Sequence, residues 1–553
     1  MKYSGAEITI KLLERQGIEI IAGIPGGFNL PLYDALYKSS IRHILTRHEQ
    51  GAGFLAQGMA RSTGKPAVCF ATSGPGATNL ITAIADAKLD SIPVIAITGQ
   101  VPLSMIGTDA FQEVDTYGMS MPVTKHNFLV RSAAELFEII PEAFRIACSG
   151  RPGPVLVDIP KCVQQELVDF ESWPQPWTPE KPRSADKDEL SRAAEMISRA
   201  ERPLLCIGGG ALHAGASGEL IELAHKNSIP VVTTMMGIGA FPSDDPLCLG
   251  MFGMHGTRST NTIVGQCDLF IACGTRFGDR STGKVANFCL KSDILQIDID
   301  KSEFGKIMKS TARITGDLKE VASALLSAVP ENPRDEWLSH IRKLRQSFPF
   351  PASKSTDVLH PHNLLRTVYS LSSPDTIITT DVGQHQMWVA QIYPISRPRS
   401  FLSSGGLGTM GFGLPAAIGA ALANPDKPVI CFTGDGSLLM NIQELATLSD
   451  YRLNVKIIVF NNGHLGLVRQ QQELFYNGNY IASRFLTNPD FKTIAAGFGI
   501  CGIDLGNEKE VVAALSEALK KEEPCLINVP IHHGWNVMPM VPPGKANSEM
   551  IGD

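Results

Sequence analysis

The sequence predicts three doubly wound α/β domains in tandem, each built on a parallel sheet. Three observations carry that prediction. Short apolar runs alternate with amphipathic helical stretches along most of the chain. Two proline-rich breaks divide the alternation into three blocks. At 553 residues the chain has the length of about three or four domains.

Composition bounds the function. Hydrophobic residues make up 44% of the chain, enough to fill several cores, and charged residues 19%. A formal net charge of −6 and a pI near 6.1 leave no basic footprint for nucleic acid. No apolar run approaches the ~18 residues that span a bilayer, so no membrane role is expected. The start, MKYSGAEITIKLLERQG, reads as an amphipathic helix rather than a signal or transit segment. The expected compartment is the cytoplasm. Eleven cysteines sit mostly in apolar runs, as at Cys69, Cys206, Cys273 and Cys431, and read as buried reduced thiols rather than disulfides or zinc ligands.

The first block, 1–165, opens with a helix over Ile8–Gln16 and a strand over Ile18–Ala22, which ends in the turn Pro25-Gly26-Gly27. A strand over Ile41–Leu45 leads through His48-Glu49-Gln50-Gly51 into a helix ending near Arg61; Ala67–Ala71, Val94–Thr98 and Val155–Ile159 complete the strands. Pro174, Pro176, Pro179 and Pro182 mark the first break. The second block, 188–330, offers strands at Leu204–Ile207, Val231–Met236, Leu269–Cys273 and Ile294–Ile299, the first followed by Gly208-Gly209-Gly210. Pro349, Pro351 and Pro361 bound a second break before the third block, 360–530, and a tail over 531–553 shows no regular pattern.

The third block holds the most informative stretch. Val429–Phe432 is a strand ending in Gly434-Asp435-Gly436-Ser437; a helical pattern covers Asn441–Leu453; Val455–Phe460 is a strand ending in Asn461-Asn462. Parallel strands joined by a helix bring both polar tips to one carboxyl-end edge, where α/β sheets bind ligands. Asp and Asn oxygens suit Mg²⁺, and N–H groups beside glycines at a helix start suit a diphosphate. Glu49 also follows a strand at a helix start, where an acid is favoured on electrostatic grounds alone.

The Gly-Asp-Gly-Ser, helix, Asn-Asn pattern resembles the diphosphate-binding signature of thiamine-diphosphate enzymes. The likeness then narrows. Pro25–Gly27, Arg47–Ala52, Ser73–Asn79, Gly107–Glu113, Ser149–Pro154, Gly274–Phe277, Asp381–His385, Gly408–Gly413 and the tail Pro539–Gly544 resemble, in order, the large catalytic subunit of acetohydroxyacid (acetolactate) synthases of the bacterial isozyme I kind. The resemblance implies three domains of the thiamine-diphosphate enzyme type and a transferase of branched-chain amino-acid biosynthesis (valine, leucine and isoleucine). Such an enzyme decarboxylates pyruvate and joins the hydroxyethyl fragment to a second 2-oxo acid, pyruvate or 2-oxobutanoate. It implies thiamine diphosphate, Mg²⁺ and FAD as cofactors. It also implies a homodimer or homotetramer with sites at the subunit interface, and a small regulatory subunit.

Carried over residue by residue, the resemblance gives Glu49 the proton shared with the coenzyme pyrimidine and Arg276 the acceptor carboxylate. Gly27, Phe111, Gln112 and Lys161 are pocket residues. Gln384, His385, Gly408, Met410, Gly436, Ser437 and His464 would contact thiamine diphosphate, with Asp435, Asn462 and the His464 backbone carbonyl on Mg²⁺. Arg151, Gly208, Gly209, Thr234, Met235, His255, Gly274, Arg276, Asp298 and Asp317 would face FAD. Against these stand plainer readings: glycine turns in the second block, a core methionine at Met410, a polar cap at His385, and an ion pair from Arg276 to Asp279. Three departures from the pattern are Phe28 where a small residue is usual, Gly278 where Asp is common, and Gln471 where many members carry Trp. The Gln471 departure predicts weak preference for 2-oxobutanoate. A flavin-dependent pyruvate oxidase or a related thiamine-diphosphate 2-oxo acid decarboxylase is the alternative enzyme, and a non-catalytic paralogue obstructed by Phe28 the alternative outside catalysis.

Overall fold

The structure, a computed structural model, describes residues 1–179, 184–350 and 355–552. Three six-stranded sheets, parallel throughout, succeed one another along the chain. The first has the spatial order Arg42–Leu45, Ile20–Gly23, Ala67–Ala71, Val94–Gln100, Val155–Pro160, His126–Leu129. The third runs Phe401–Leu402, Ile377–Thr380, Val429–Gly434, Val455–Asn461, Cys525–Pro530, Cys501–Asp504. Numbered along the chain, both sheets have the order 2-1-3-4-6-5. The central sheet runs Cys248–Met251, Val231–Thr233, Pro203–Ile207, Leu269–Cys273, Asp293–Asp298, Ala312–Thr315, which is 3-2-1-4-5-6, the dinucleotide-binding order. In each sheet the order reverses beside the first strand, and the crevice beyond that point is where the glycine-rich turns gather.

Strands with apolar residues at successive positions, such as Ala67–Ala71 and Val429–Gly434, are buried along their whole length because helices cover both faces. Edge strands carry a weaker signal. His126–Leu129, Cys248–Met251 and Ala312–Thr315 lie outside the expected set, so Val155–Pro160 does not close its sheet; His126–Leu129 lies beyond it. Other boundaries differ for local reasons. The first helix begins at Gly5, three residues early, because Ser4 and Glu7 form a capping box. The Val231 strand stops at Thr233, where Met235–Gly237 makes a 3₁₀ turn. The helix expected over Asn441–Leu453 is Glu444–Tyr451, because the Asn441 amide instead donates to Gly411 O at 2.8 Å and Gln50 Oε1 at 3.0 Å.

The first and third domains share one apolar core, in which Ala52 and Leu55 join Leu414, Ala417, Ile418 and Leu445. Helices Glu49–Thr63 and Gly413–Ala423 cross there at van der Waals limits: a Cβ on Gly58 would sit 2.1 Å from Ala416 O, and one on Gly419 2.0 Å from Leu55 O. Phe54 packs edge-on against Phe412 with centroids 5.4 Å apart. The breaks are not free tethers. Trp173 packs on Tyr3 and Phe137, and Trp177 N–H donates to Gln16 Oε1 at 3.2 Å. The second break contains a helix, Asp335–Ser347, whose Trp337 donates to Pro203 O at 3.1 Å. Pro182 and Pro351 lie outside the described residues. The tail folds back on the central domain, Val541 N–H bonding Met254 O at 2.8 Å and Asn547 bonding Ser281 O at 2.8 Å. All eleven cysteines are free; Cys162 is exposed, Cys148 and Cys501 are half-buried and the rest buried. Among the described residues no helix is long and apolar enough to cross a membrane.

Candidate active site

At the carboxyl-end edge of the first sheet, helix Glu49–Thr63 starts with His48 as N-cap. Asn79 donates to Glu49 Oε2 at 2.9 Å, fixing the carboxylate from the neighbouring helix. The approach to that helix is held from the third domain: Glu444 Oε1 accepts the Arg47 and His48 N–H groups at 3.0 and 3.1 Å. Glu444 is fully buried, and burial pushes its carboxyl pKa up. The turn Gly26–Phe28 meets the next strand end, where Phe28 N–H points to Thr72 Oγ1 at 3.4 Å. Gly27 has open space on its Cβ side. The Phe28 ring lies 5.8 Å from Lys161 Nζ, so it packs on a cation instead of standing alone in the turn. Segment 107–113 folds over the Glu113 carboxylate, which accepts the Gly107, Thr108 and Ala110 N–H groups. That fold leaves Gln112 at φ +61 against Gly74, and Phe111 81% exposed.

In the third domain, Asp435 is 2% exposed and its oxygens accept N–H groups of Gly436 (3.0 Å), Gly463 (2.7 Å) and the Asn488 side chain (3.0 Å). Burial pushes its pKa up, and none of the groups that offset this is a cation. A divalent ion would supply the missing charge. Asn462 Oδ1 accepts the His464 N–H at 3.0 Å and its amide reaches Gln384 Oε1 at 3.3 Å. Among the described residues no group of three His, Cys, Asp or Glu side chains could hold a metal. An Asp–Asn pair completed by a main-chain carbonyl and a diphosphate is a different, oxygen-only donor set, and Asp435, Asn462 and His464 fit it.

His385 is 4% exposed and stacks on Phe460; burial drives its pKa down to about 3. Its Nε2 has no partner among the described residues. Such an orphan beside Gly383 and Gly434 fits a diphosphate, whose charge would favour the protonated, donating ring. Ser437 Oγ lies 3.1 Å from the Gly434 N–H and so locks the glycine turn. Gln384 is committed to Gln470 Oε1 (2.9 Å) and Trp535 O (3.0 Å). Met410 is half-buried beside the Gly411–Gly413 turn, whose N–H groups at 411 and 413 bond the Asp381 carboxylate at 2.8 and 3.0 Å. Burial raises the Asp381 pKa to about 6.

The switch point of the central sheet opens into a cavity of about 1280 Å³. Gly209, Thr234, Met235, His255 and Gly274 line it, as do Arg151, Asp298, Asp317 and Gly408. Gly208 lies beneath, where a Cβ would meet Gly274 O at 2.2 Å, and Gly274 itself has φ +59. This close approach of two strand ends, together with a fully buried His255 Nδ1 that has no partner among the described residues, fits a dinucleotide. Arg151 donates to Ser91 Oγ at 2.8 Å and to Glu303 Oε1 at 2.7 Å. Arg276 also lines the cavity and donates to Leu89 O; Asp279 pairs with Arg280 at 3.2 Å, so the alternative ion pair is not formed. Burial, reinforced by Arg151, holds the Arg276 pKa below its usual value. Gln471, Val382 and the tail residue Met540 also line the cavity. Gly278 has φ −60 with no atom within 4 Å of a built Cβ, so the Asp common there would fit without strain.

The described residues therefore form two tips and a cavity. Glu49 is held by its own domain and Asp435 by its own, and no hydrogen bond joins them among the described residues. Asn79, Asp381, Glu444 and Asn488 were not singled out individually from sequence. Asn79 and Asp381 fall within the motif strings, whereas Glu444 and Asn488 act through contacts distant in sequence.

Residues 3–119 match the thiamine pyrophosphate enzyme N-terminal TPP binding domain, 190–325 its central domain and 381–529 its C-terminal TPP binding domain. Over all of this chain and 98% of the relative, the sequence is 54% identical to the acetolactate synthase isozyme 1 large subunit of Escherichia coli. The chain belongs to the acetolactate synthase large-subunit family. Identity is 47% to the isozyme 2 large subunit of the same organism, over 99% of each chain. It is also 47% to the probable acetolactate synthase large subunit of Methanocaldococcus jannaschii, over 99% of this chain and 95% of that one. Within the acetolactate synthase frame, the three sheets are the three domains of a thiamine pyrophosphate enzyme.

Proposed function

We propose that the chain is the catalytic subunit of an acetolactate synthase that uses two molecules of pyruvate, with 2-oxobutanoate a weakly preferred alternative acceptor. The observation that carries the reading is full-length similarity to named acetolactate synthase large subunits together with Glu49, Asp435, Asn462 and Arg276 in one chain. Thiamine diphosphate, when bound, supplies the electron sink for decarboxylation. Asp435, Asn462 and the His464 carbonyl would hold Mg²⁺; His385, Ser437 and the glycine turns would hold the diphosphate. Glu49 would share a proton with the pyrimidine nitrogen of the bound coenzyme, its carboxylate held by the Asn79 amide. Gly27, Phe111, Gln112 and Lys161 would border the substrate pocket, Phe111 once a second copy covers its exposed ring. Arg276 binds the carboxylate of the second 2-oxo acid through parallel N–H bonds. Gln471, where an apolar ring is common, offers 2-oxobutanoate no extra apolar contact.

FAD would occupy the central cavity, held by Arg151, Gly209, Thr234, Met235, His255, Gly274, Asp298 and Asp317 and without net redox work. The exposed Phe111, and the lack of any hydrogen bond between Glu49 and Asp435 among the described residues, support sites completed by a second copy, in a homodimer or homotetramer. The relatives are named large subunits, which supports a small regulatory partner for this chain too. Eleven free thiols and the absence of any disulfide among the described residues favour the cytoplasm.

The test is product analysis after incubating the protein with pyruvate, Mg²⁺, thiamine diphosphate and FAD. Acetolactate and CO₂ with the flavin still oxidised is the expected result. Acetate or acetyl phosphate with flavin bleaching, acetaldehyde alone, or no CO₂ would each overturn the reading.

A further inference from the structure

Three consecutive residues at the end of helix Pro75–Asp90 hold parts of all three domains. The Leu89 carbonyl accepts from Arg276. The Asp90 carboxylate accepts the Gly405 N–H at 3.0 Å and the Gly406 N–H at 2.7 Å. The Ser91 hydroxyl accepts from Arg151 at 2.8 Å. One turn earlier, Asp86 accepts the Ser404 hydroxyl and, at 2.7 Å, the Thr409 hydroxyl. Arg61 bridges both acids, at 3.2 Å to Asp86 and 2.8 Å to Asp90, and bonds Ser403 O at 3.0 Å. The side chains of Asp86 and Asp90 are wholly buried, and that of Arg61 is 5% exposed.

Stability is a poor explanation for this cluster. Two buried carboxylates share one guanidinium, and apolar replacements of such groups are often as stable or more so. Geometry explains it better. Segment Gly405-Gly406-Leu407-Gly408 is exposed and has one side chain; Gly405 and Gly406 lie close against Met236, Leu89 and Asp90, and the segment lines the cavity that Arg276 lines. A carboxylate accepting two successive N–H groups sets that backbone in one position. The same helix end, whose free carbonyls favour cations, seats Arg276.

We infer that Asp90, assisted by Asp86, is a positioning residue for the carboligation step: it fixes the Gly405–Gly408 wall and registers that wall to Arg276 through a shared helix end. The inference rests on the acetolactate reading above. It predicts that a loosened wall admits water and misplaces the acceptor, so the two-carbon fragment is lost as acetaldehyde more often.

The experiment compares Asp90→Asn with the unaltered holoenzyme by hydrogen exchange over 403–409 and by the acetaldehyde-to-acetolactate ratio against pyruvate concentration. Losing charge-assisted bonds should speed exchange at 405–406 roughly tenfold. The ratio should rise about fivefold and the KM for the acceptor more than kcat changes, on the same scale of lost interaction. If Asp90→Asn does not fold, Thr409→Val, which removes one hydroxyl bond to Asp86, should raise the ratio about twofold. Faster exchange and a lower Tm with the ratio unchanged would mean a structural role only and overturn the proposal, as would unchanged exchange. No acetolactate from the unaltered enzyme would instead overturn the underlying reading.

Discussion

Single residues carry separable tasks in the proposed reaction. Glu49→Gln keeps the hydrogen bond from Asn79 but removes the ionisable group. It should leave coenzyme affinity within about threefold and reduce C2 proton exchange by roughly 10²–10⁴; unchanged exchange measured by NMR would remove Glu49 from that role. Gln471→Trp should raise the preference for 2-oxobutanoate over pyruvate by roughly tenfold, since one methylene contact is worth about 1–3 kcal/mol. A competition assay measuring both products reads this directly, and an unchanged product ratio counts against a place for Gln471 beside the acceptor. Asp158 offers a pH test independent of catalysis. It is 1% exposed, burial raises its pKa to about 7, and Thr98 and Gln100 donate to it at 2.6 and 3.0 Å. The folded state holds this proton above the pH where the unfolded chain, with a carboxyl near 4, has released it. Stability from this group is therefore fully present below pH 4 and declines as pH rises towards 7. Asp158→Asn should flatten that part of a Tm-against-pH profile, and an identical slope in both proteins would contradict the assignment.

At the scale of elements, legibility followed burial. Val429–Gly434, Val455–Asn461 and Leu269–Cys273 were readable because two covered faces demand an unbroken apolar run. His126–Leu129, half wet at its edge, looks like a loop in sequence, and Ala312–Thr315 alternates too briefly to stand out. Candidate site residues are legible where they sit in a turn beside glycine, as the proposed metal ligand Asp435 does. Glu444 and Asn488 are not, because their purpose exists only once residues far apart in sequence meet: Glu444 with the 47–48 backbone, Asn488 with Asp435. Helix crossing is likewise invisible in one-dimensional periodicity. Gly58→Val would drive its branched side chain into Ala416 O, against a typical overpacking cost of about 1–3 kcal/mol. It should lower Tm by several degrees or prevent folding. Gly218→Ala, in helix Ser217–Lys226 with nothing within 4 Å of its Cβ, should be neutral or raise stability by about 0.5–1 kcal/mol. Equal Tm losses in the two variants would mean that crowding at Gly58 is not the cause.

For the whole molecule, the first and third domains repeat one strand order around a shared core, with a dinucleotide-type sheet between them in sequence. Within one chain Glu49 takes its hydrogen bond from Asn79 and Asp435 takes its own from Gly436, Gly463 and Asn488, each inside its own domain. In the proposed oligomer one copy's Glu49 works with another copy's Asp435. Mixing two inactive variants, Glu49→Gln and Asp435→Ala, under conditions that exchange subunits tests this pairing. A mixed dimer then carries one doubly altered site and one intact site. With random pairing, half the dimers are mixed, so acetolactate formation should recover to about a quarter of the unaltered rate. No recovery, with subunit exchange verified by mass spectrometry, would exclude this pairing and place both groups in one chain's site.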